Sequence, residues 1–324
     1  MMLHARTKWV IAIGAVTALA LVVGVLVLVK NRPERPYDPS FDTSVADPAY
    51  SDHGPLVLYD EGHRNTHTAD AGYKPLADII QNDGYRLQVH RETFTPQTFN
   101  GVSVLLVVLP MGTNEAGDQP AFTDVEIAAI VDWIRSGGSM LLISDHWPYG
   151  SAILTLARAL EVDMGTGLVE DPEHHHPTRG ASHLEFTTEN GLLVDHPLLH
   201  GRTSGEQVTR VLTFTGTSML GPTGAVPLFS LSPTAIEYPS GDARVEKKGG
   251  DTRVSMNYGE PVPATGRAQA LAMELDNGRV VILGEGGMLR AQGNNDETRV
   301  GMNVPGYDNR KLALNIMHWL SRVI

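Results

Sequence analysis

The chain has no cysteine among its 324 residues, and that one absence removes disulfides, thiolate-bound zinc and thiol nucleophiles together. It leaves the redox compartment open. Basic residues are also scarce: 25 Lys and Arg against 37 Asp and Glu give a formal charge of −12. The cations are scattered, so the clustered positive surface that a polyanion needs is missing, and no nucleic-acid partner is expected. Small molecules, glycans or proteins suit this charge better. With 42% hydrophobic and 19% charged residues the chain is too apolar for disorder and can build one large domain or two small ones. No internal repeat is present.

Trp9 to Val29 forms a run of 21 residues without a charge, which at the helical rise matches the roughly 30 Å hydrocarbon core of a bilayer. A cleaved leader has a shorter apolar region, about 7–15 residues, and small residues at its cleavage site. This run ends instead in Lys30-Asn31-Arg32-Pro33. The pattern predicts an uncleaved single-pass anchor over 1–30, with its transmembrane helix over 9–29, placing the chain at the cell membrane with the bilayer as a partner. Arg6 and Lys8 before the run and Lys30, Arg32 and Arg35 after it leave the positive-inside rule without a clear preference. An extracytoplasmic domain is the expected arrangement for a signal anchor. Residues 31–54 carry four prolines and little apolar periodicity, predicting a semi-extended stalk before a folded domain over 55–324.

In that domain Leu56 to Tyr59 is a short apolar run ending in Asp60-Glu61-Gly62-His63, the pattern of a buried strand opening into a polar loop. Tyr73, Leu76, Ala77 and Ile80 recur at helical spacing until Gly84. Strands follow over Tyr85 to Val89 and over Val102 to Leu109, the latter almost wholly aliphatic and so buried on both faces. Thr123 and Glu126 have capping-box spacing before a helix that Gly137-Gly138 closes. Met140 to Ile143 is the next strand, and Ser151 is placed to cap a helix through about Leu160. Alternating strands and helices imply a parallel sheet with helices on both faces and a ligand edge at the strands' carboxyl ends. Later strands are expected near Val208 to Phe214, Val226 to Leu231 and Ala270 to Leu283, the last broken by the hairpin turn Asp276-Asn277-Gly278. Leu312, Ile316, Trp319, Leu320 and Val323 share one face of a final helix, and Trp133 and Trp319 read as core.

The phrases YDEGHRNTHTADAGYKPLADIIQNDGYRL, FTDVEIAAIVDWIRSGGSMLLISDH, DHPLLHGR, RVLTFTGTSM and VVILGEGGMLRAQ together resemble an uncharacterised group of bacterial domains of unknown function. That group lies within the class I glutamine amidotransferase-like superfamily. The resemblance runs from about Leu56 to the final helix and implies a flavodoxin-like three-layer sandwich with a mainly parallel sheet. True glutamine amidotransferases carry a Cys nucleophile between glycines at a strand-to-helix elbow. Here Ser144-Asp145-His146 stands at the corresponding strand end without flanking glycines, so glutaminase chemistry by that route is excluded, and the strained elbow a serine nucleophile needs is poorly supported.

Strand ends deliver Asp60, Glu61 and His63, then Asp145 and His146, then Glu285 to one edge. Asp145, His146 and Glu285 are the catalytic candidates; Asp60, Glu61, His63 and Arg202 are the ligand-binding candidates. His63, His67 and His146 are candidate ligands for a divalent metal, with Glu285 as general base toward a bound water. Three readings stand side by side: helix caps and loop hydrogen bonds, metal-free binding of a polar ligand or partner protein, and metal-assisted hydrolysis of a polar small molecule or glycan. His174-His175-His176, flanked by acids and prolines, reads as an exposed loop, and Gly284, Gly286 and Gly287 as turn residues or as places where backbone approaches a ligand.

Overall fold

The computed structural model describes residues 26–27, 37–51, 53–113, 119–248 and 251–324. Five parallel strands form its centre: β1 (Leu56–Asp60), β2 (Arg86–His90), β3 (Val102–Val108), β4 (Ser139–Ile143) and, late in the chain, Gly278–Leu283. On the far side of that last strand the sheet continues antiparallel through β5 (Asp163–Met164), β6 (Met219–Leu220), β7 (Val226–Ser230) and β8 (Ala268–Leu275). With Gly278–Leu283 as β9, the order is β2-β1-β3-β4-β9-β8-β6-β5, and β7 also pairs with β8. The parallel part has the 2-1-3-4-5 order of a flavodoxin-like fold. Asp276 takes a positive φ of 52° in the β8–β9 turn, where Leu275 pairs with Gly278.

The pleat sorts the side chains into two layers. Val57, Tyr59, Val104, Leu106, Leu141 and Ile143 face α1 (Lys74–Asn82) and the final helix Asn309–Leu320, while Leu58, Leu105, Val107, Met140 and Leu142 face α2 (Asp124–Arg135) and α3 (Leu154–Ala159). The capping box is formed: Thr123 Oγ1 accepts from Glu126 N–H, and Glu126 Oε2 accepts from Thr123 N–H at 2.9 Å. Trp319 is buried, whereas Trp133 is half-buried and stacks on Phe99.

Several expectations need correcting. Ser151 caps nothing; it starts a 3-10 turn, and α3 begins only at Leu154. The predicted spanning helix lies outside the described residues except for Leu26 and Val27, which form a two-residue strand paired with Ser255 and Val254. No helix among the described residues is long and apolar enough to cross a membrane. The predicted stalk is packed from Tyr37 onward: Asp38 N–H donates to Ala291 O, Ala49 N–H to Asp83 Oδ1, and Phe41, Val45 and Tyr50 rest on the core. Its partners are a loop carbonyl, the Asp83 side chain at the end of α1 and scattered core contacts, which leave no trace in periodicity. The hairpin of Ser240–Lys248 with Asp251–Tyr258 was not anticipated at all.

Leu106 is fully buried at the centre of the sheet, whereas Val125 is 72% exposed on α2. Urea denaturation is expected to show a loss of about 2–5 kcal/mol for Leu106→Ala and a change within about 0.5 kcal/mol for Val125→Ala.

Candidate functional site

β4 and β9 pair in parallel with Ile143 opposite Leu283. Two residues beyond each, Asp145 and Glu285 leave the sheet side by side, and both are buried. They line a cleft of about 520 Å³ together with Thr66, His67, Leu109, His146, Tyr149, His183, Phe214, Thr215 and Arg290.

Backbone amides hold both carboxyls. Asp145 Oδ1 accepts from His146 N–H at 2.7 Å, and Oδ2 from Gly286 N–H at 3.1 Å. Glu285 accepts from Gly287 N–H and, at 2.7 Å, from Met288 N–H. The glycines are required by this close approach: a Cβ on Gly286 would stand 2.7 Å from Leu109 Cδ1, and one on Gly287 2.6 Å from Glu285 Oε1. Burial and then the neighbouring Asp145 charge push the Glu285 carboxyl well above the carboxylate range, against the backbone donors that favour its ionised form. Burial also raises Asp145, opposed by His146 and His67. Both carboxyls are thus pushed toward the protonated form, Glu285 the more strongly.

His146 lies 3.7 Å through Nε2 from Asp145 Oδ1, too far for a hydrogen bond. Its Nδ1 meets the Trp147 carbonyl at 2.7 Å and Tyr258 Oη at 3.3 Å. His67 stacks on Tyr73, with ring centroids 5.4 Å apart. Burial, then Arg179 and His176, lower His183 to about 4, so it enters the cleft as a neutral ring. Two wall residues without glycine's freedom have left-handed backbones, Leu109 at φ 43° and Thr215 at φ 86°; strain of this kind collects at functional sites.

Of the residues singled out in the sequence, Asp145, His146, Glu285 and His67 come together. Asp60, Glu61, His63 and Arg202 do not line the cleft. His63 is a core clamp: Nδ1 lies 2.8 Å from Asp60 Oδ1 and Nε2 2.9 Å from Glu126 Oε1, and the ring packs against both Phe94 and Phe122. Glu61 accepts from Ala69 N–H and pairs with Arg91, and Arg202 is taken up by Glu206 and Asp47. With both ring nitrogens of His63 on carboxylates, the proposed metal set of His63, His67 and His146 does not converge. Among the described residues no group of three or more His, Asp or Glu is placed to hold a metal ion. This donor set does not fit a divalent ion. Ser144 is buried, its Oγ donating to Asp145 O at 3.5 Å. The triple-histidine loop is pinned by Asp171, which accepts from Glu173, His174, Ser232 and Thr234. Sequence reasoning missed His183, Tyr149, Thr215, Arg290 and Tyr258, all on segments after β4.

Among solved structures, the mmIFT52 N-terminal domain is similar to this chain, with a TM-score of 0.57 and 13% identity over 82% of this chain and 97% of that one. A putative ThuA-like protein from Bacteroides uniformis has a TM-score of 0.39 and 13% identity over 87% of this chain and 95% of its own. Another ThuA-like protein, from Parabacteroides merdae, has a TM-score of 0.40 and 12% identity over 83% of this chain and 90% of its own. At these identities the likeness concerns the fold alone, and only the first is close enough to carry it. No family model matches the chain, and no curated protein matches it in sequence.

The His63 clamp sets a pH window. Burial opposes the charged ring, yet Asp60 and Glu126 outweigh it and raise its pKa above 6.5. Glu126, despite burial, is held at about 2 by Thr123, His63 and Phe94, below the ordinary 4.5. The His63 contribution is thus full below pH 6.5 and lost as pH rises through the raised value; that of Glu126 is present above 4.5 and lost as pH falls toward 2. Denaturation midpoints measured from pH 2 to 9 are expected to show a shallower acid limb in Glu126→Gln, the remainder coming from Asp171, Glu206 and Asp308, whose carboxyls are also held low. His63→Ala, which strands two buried carboxylates, is expected to cost about 3–5 kcal/mol at neutral pH.

Proposed function

We propose that this chain is a membrane-tethered, glutamine amidotransferase-like domain that holds a small polar molecule over the carboxyl ends of its parallel strands and uses no thiol chemistry. The observation that carries this reading is the pair of buried carboxyls, Asp145 and Glu285, side by side in the wall of a cleft of about 520 Å³. Burying two carboxyls is unfavourable and adds nothing to packing that apolar residues would not supply. A cleft of this size, lined mostly by polar and ionisable side chains with Leu109, Phe214 and Val300 among them, suits a small polar molecule. Thr66 Oγ1 is buried in the same wall with no hydrogen-bond partner among the described residues, a hydroxyl that a ligand would satisfy. The backbone strain at Leu109 and Thr215 falls on the same wall. The tether is the apolar run 9–29, which lies largely outside the described residues, and the extracytoplasmic side follows from its reading as a signal anchor.

A thermal-shift screen of polyols, sugars and small amines against the full chain is expected to find ligands that raise the melting temperature. Asp145→Asn should weaken them by about 10- to 100-fold, the worth of a hydrogen bond to a charged group. If no compound of these classes shifts the wild type, or if Asp145→Asn binds equally well, the reading fails. Separately, the full chain should sediment with membranes and resist salt and carbonate extraction, and deleting residues 1–30 should release it.

A further inference from the structure

The atoms around the His146 ring fix more than its position. The Trp147 carbonyl, 2.7 Å from Nδ1, is only an acceptor, so Nδ1 must carry the ring proton and donate it. Tyr258 Oη, 3.3 Å from the same nitrogen, then receives the weaker branch of that donation. The proton is drawn to Nδ1 by two oxygens, leaving Nε2 with its lone pair. That nitrogen makes no hydrogen bond to Asp145, because the carboxylate is 3.7 Å away and both its oxygens are tied to backbone amides of His146 and Gly286. The ring itself lines the cleft.

We infer that His146 is the proton acceptor of this cleft, presenting a bare Nε2 to a bound hydroxyl group or water, and that Tyr258 is its positioning residue. The inference rests on the cleft being a ligand site, as proposed above. In the step, an O–H bond of the ligand or of water breaks and an Nε2–H bond forms. The electron pair stays on oxygen, and the new N–H lies on the side of the ring that faces Asp145 Oδ1, 3.7 Å from Nε2. The chemical class that fits is a hydroxyl-bearing small molecule. The arrangement reverses the usual triad, in which the carboxylate sits behind the base on the opposite ring nitrogen. Here a backbone carbonyl orients the ring and the carboxylate stands on the reacting side. Tyr258 belongs to the hairpin Ser240–Lys248 with Asp251–Tyr258, whose other foot is tied to the domain by Ser240 on Thr166. The hairpin therefore reaches His146 through the Tyr258 phenol.

The test is the ring tautomer, which does not depend on finding a ligand. Nitrogen-15 spectra of imidazole-labelled full chain in detergent, near neutral pH, are expected to show the His146 ring as the Nδ1–H tautomer. Its signals are assigned by their loss in His146→Gln or, should that variant not fold, by ring contacts to Tyr258 protons. Tyr258→Phe is expected to raise the Nε2–H share by about 2- to 10-fold, the weight of one neutral hydrogen bond, while leaving His183 unchanged. A wild-type ring protonated mainly on Nε2 would overturn the assignment of His146. A tautomer ratio unmoved in Tyr258→Phe would overturn the role of Tyr258. The ligand-site reading fails on other grounds, the absence of any stabilising compound, so the two failures are distinguishable.

Discussion

The parallel pairing of β4 with β9 governs the chemistry of this molecule. Five hydrogen-bonded partners from Arg279 opposite Ser139 to Leu283 opposite Ile143 lock the register, and the strands stop together. A slip of one residue would turn Asp145 or Glu285 toward the other layer. The chain reaches β9 only after more than a hundred intervening residues, so the acid pair is a product of tertiary structure, assembled when the last parallel strand inserts beside β4. The same event closes the cleft, because the Gly284 to Gly287 turn that follows β9 packs against Leu109 at the end of β3 and donates Gly286 N–H to Asp145.

Two carboxyls buried side by side are tolerated for identifiable reasons. Burial raises Glu285 well above the carboxylate range, which lessens the repulsion, and amides of His146, Gly286, Gly287 and Met288 supply the donors that water would otherwise provide. These amides are available because the strand ends unwind into loops, and the loops can approach because two positions lack a side chain. The contrast with the His63 clamp is instructive. There a ring lies between two acids, every polar atom of the imidazole is engaged, and Phe94 and Phe122 close over it. One cluster is saturated and holds elements together; the other keeps Thr66 Oγ1 unpartnered and His146 Nε2 beyond bonding range of its nearest carboxylate.

The parallel half of the fold was legible because strands buried on both faces must be continuously apolar and their ends abruptly polar, as in LLISDH and VVILGEG. For the same reason Asp145, His146 and Glu285 stood out. His63 was misjudged because its environment depends on Glu126, a residue the sequence marks only as the third position of a capping box; that carboxylate serves the cap with one oxygen and His63 with the other. Arg202 and Glu61 are claimed by partners too far along the chain or too ordinary to signal themselves. Several strands after β4 have only two or three residues and lack a period, so His183, Thr215, Arg290 and Tyr258 had no visible connection to the cleft. The segment 37–51 was hidden in the same way, held by scattered bonds and core contacts that composition does not reveal.

Infrared difference spectroscopy of the full chain, with selective comparison to Glu285→Gln, addresses the buried acid pair directly. The account predicts a protonated-carboxyl carbonyl band at neutral pH that disappears in Glu285→Gln and persists in Glu126→Gln. A chain whose carboxyls are all ionised at neutral pH, with no such band to lose, would contradict it.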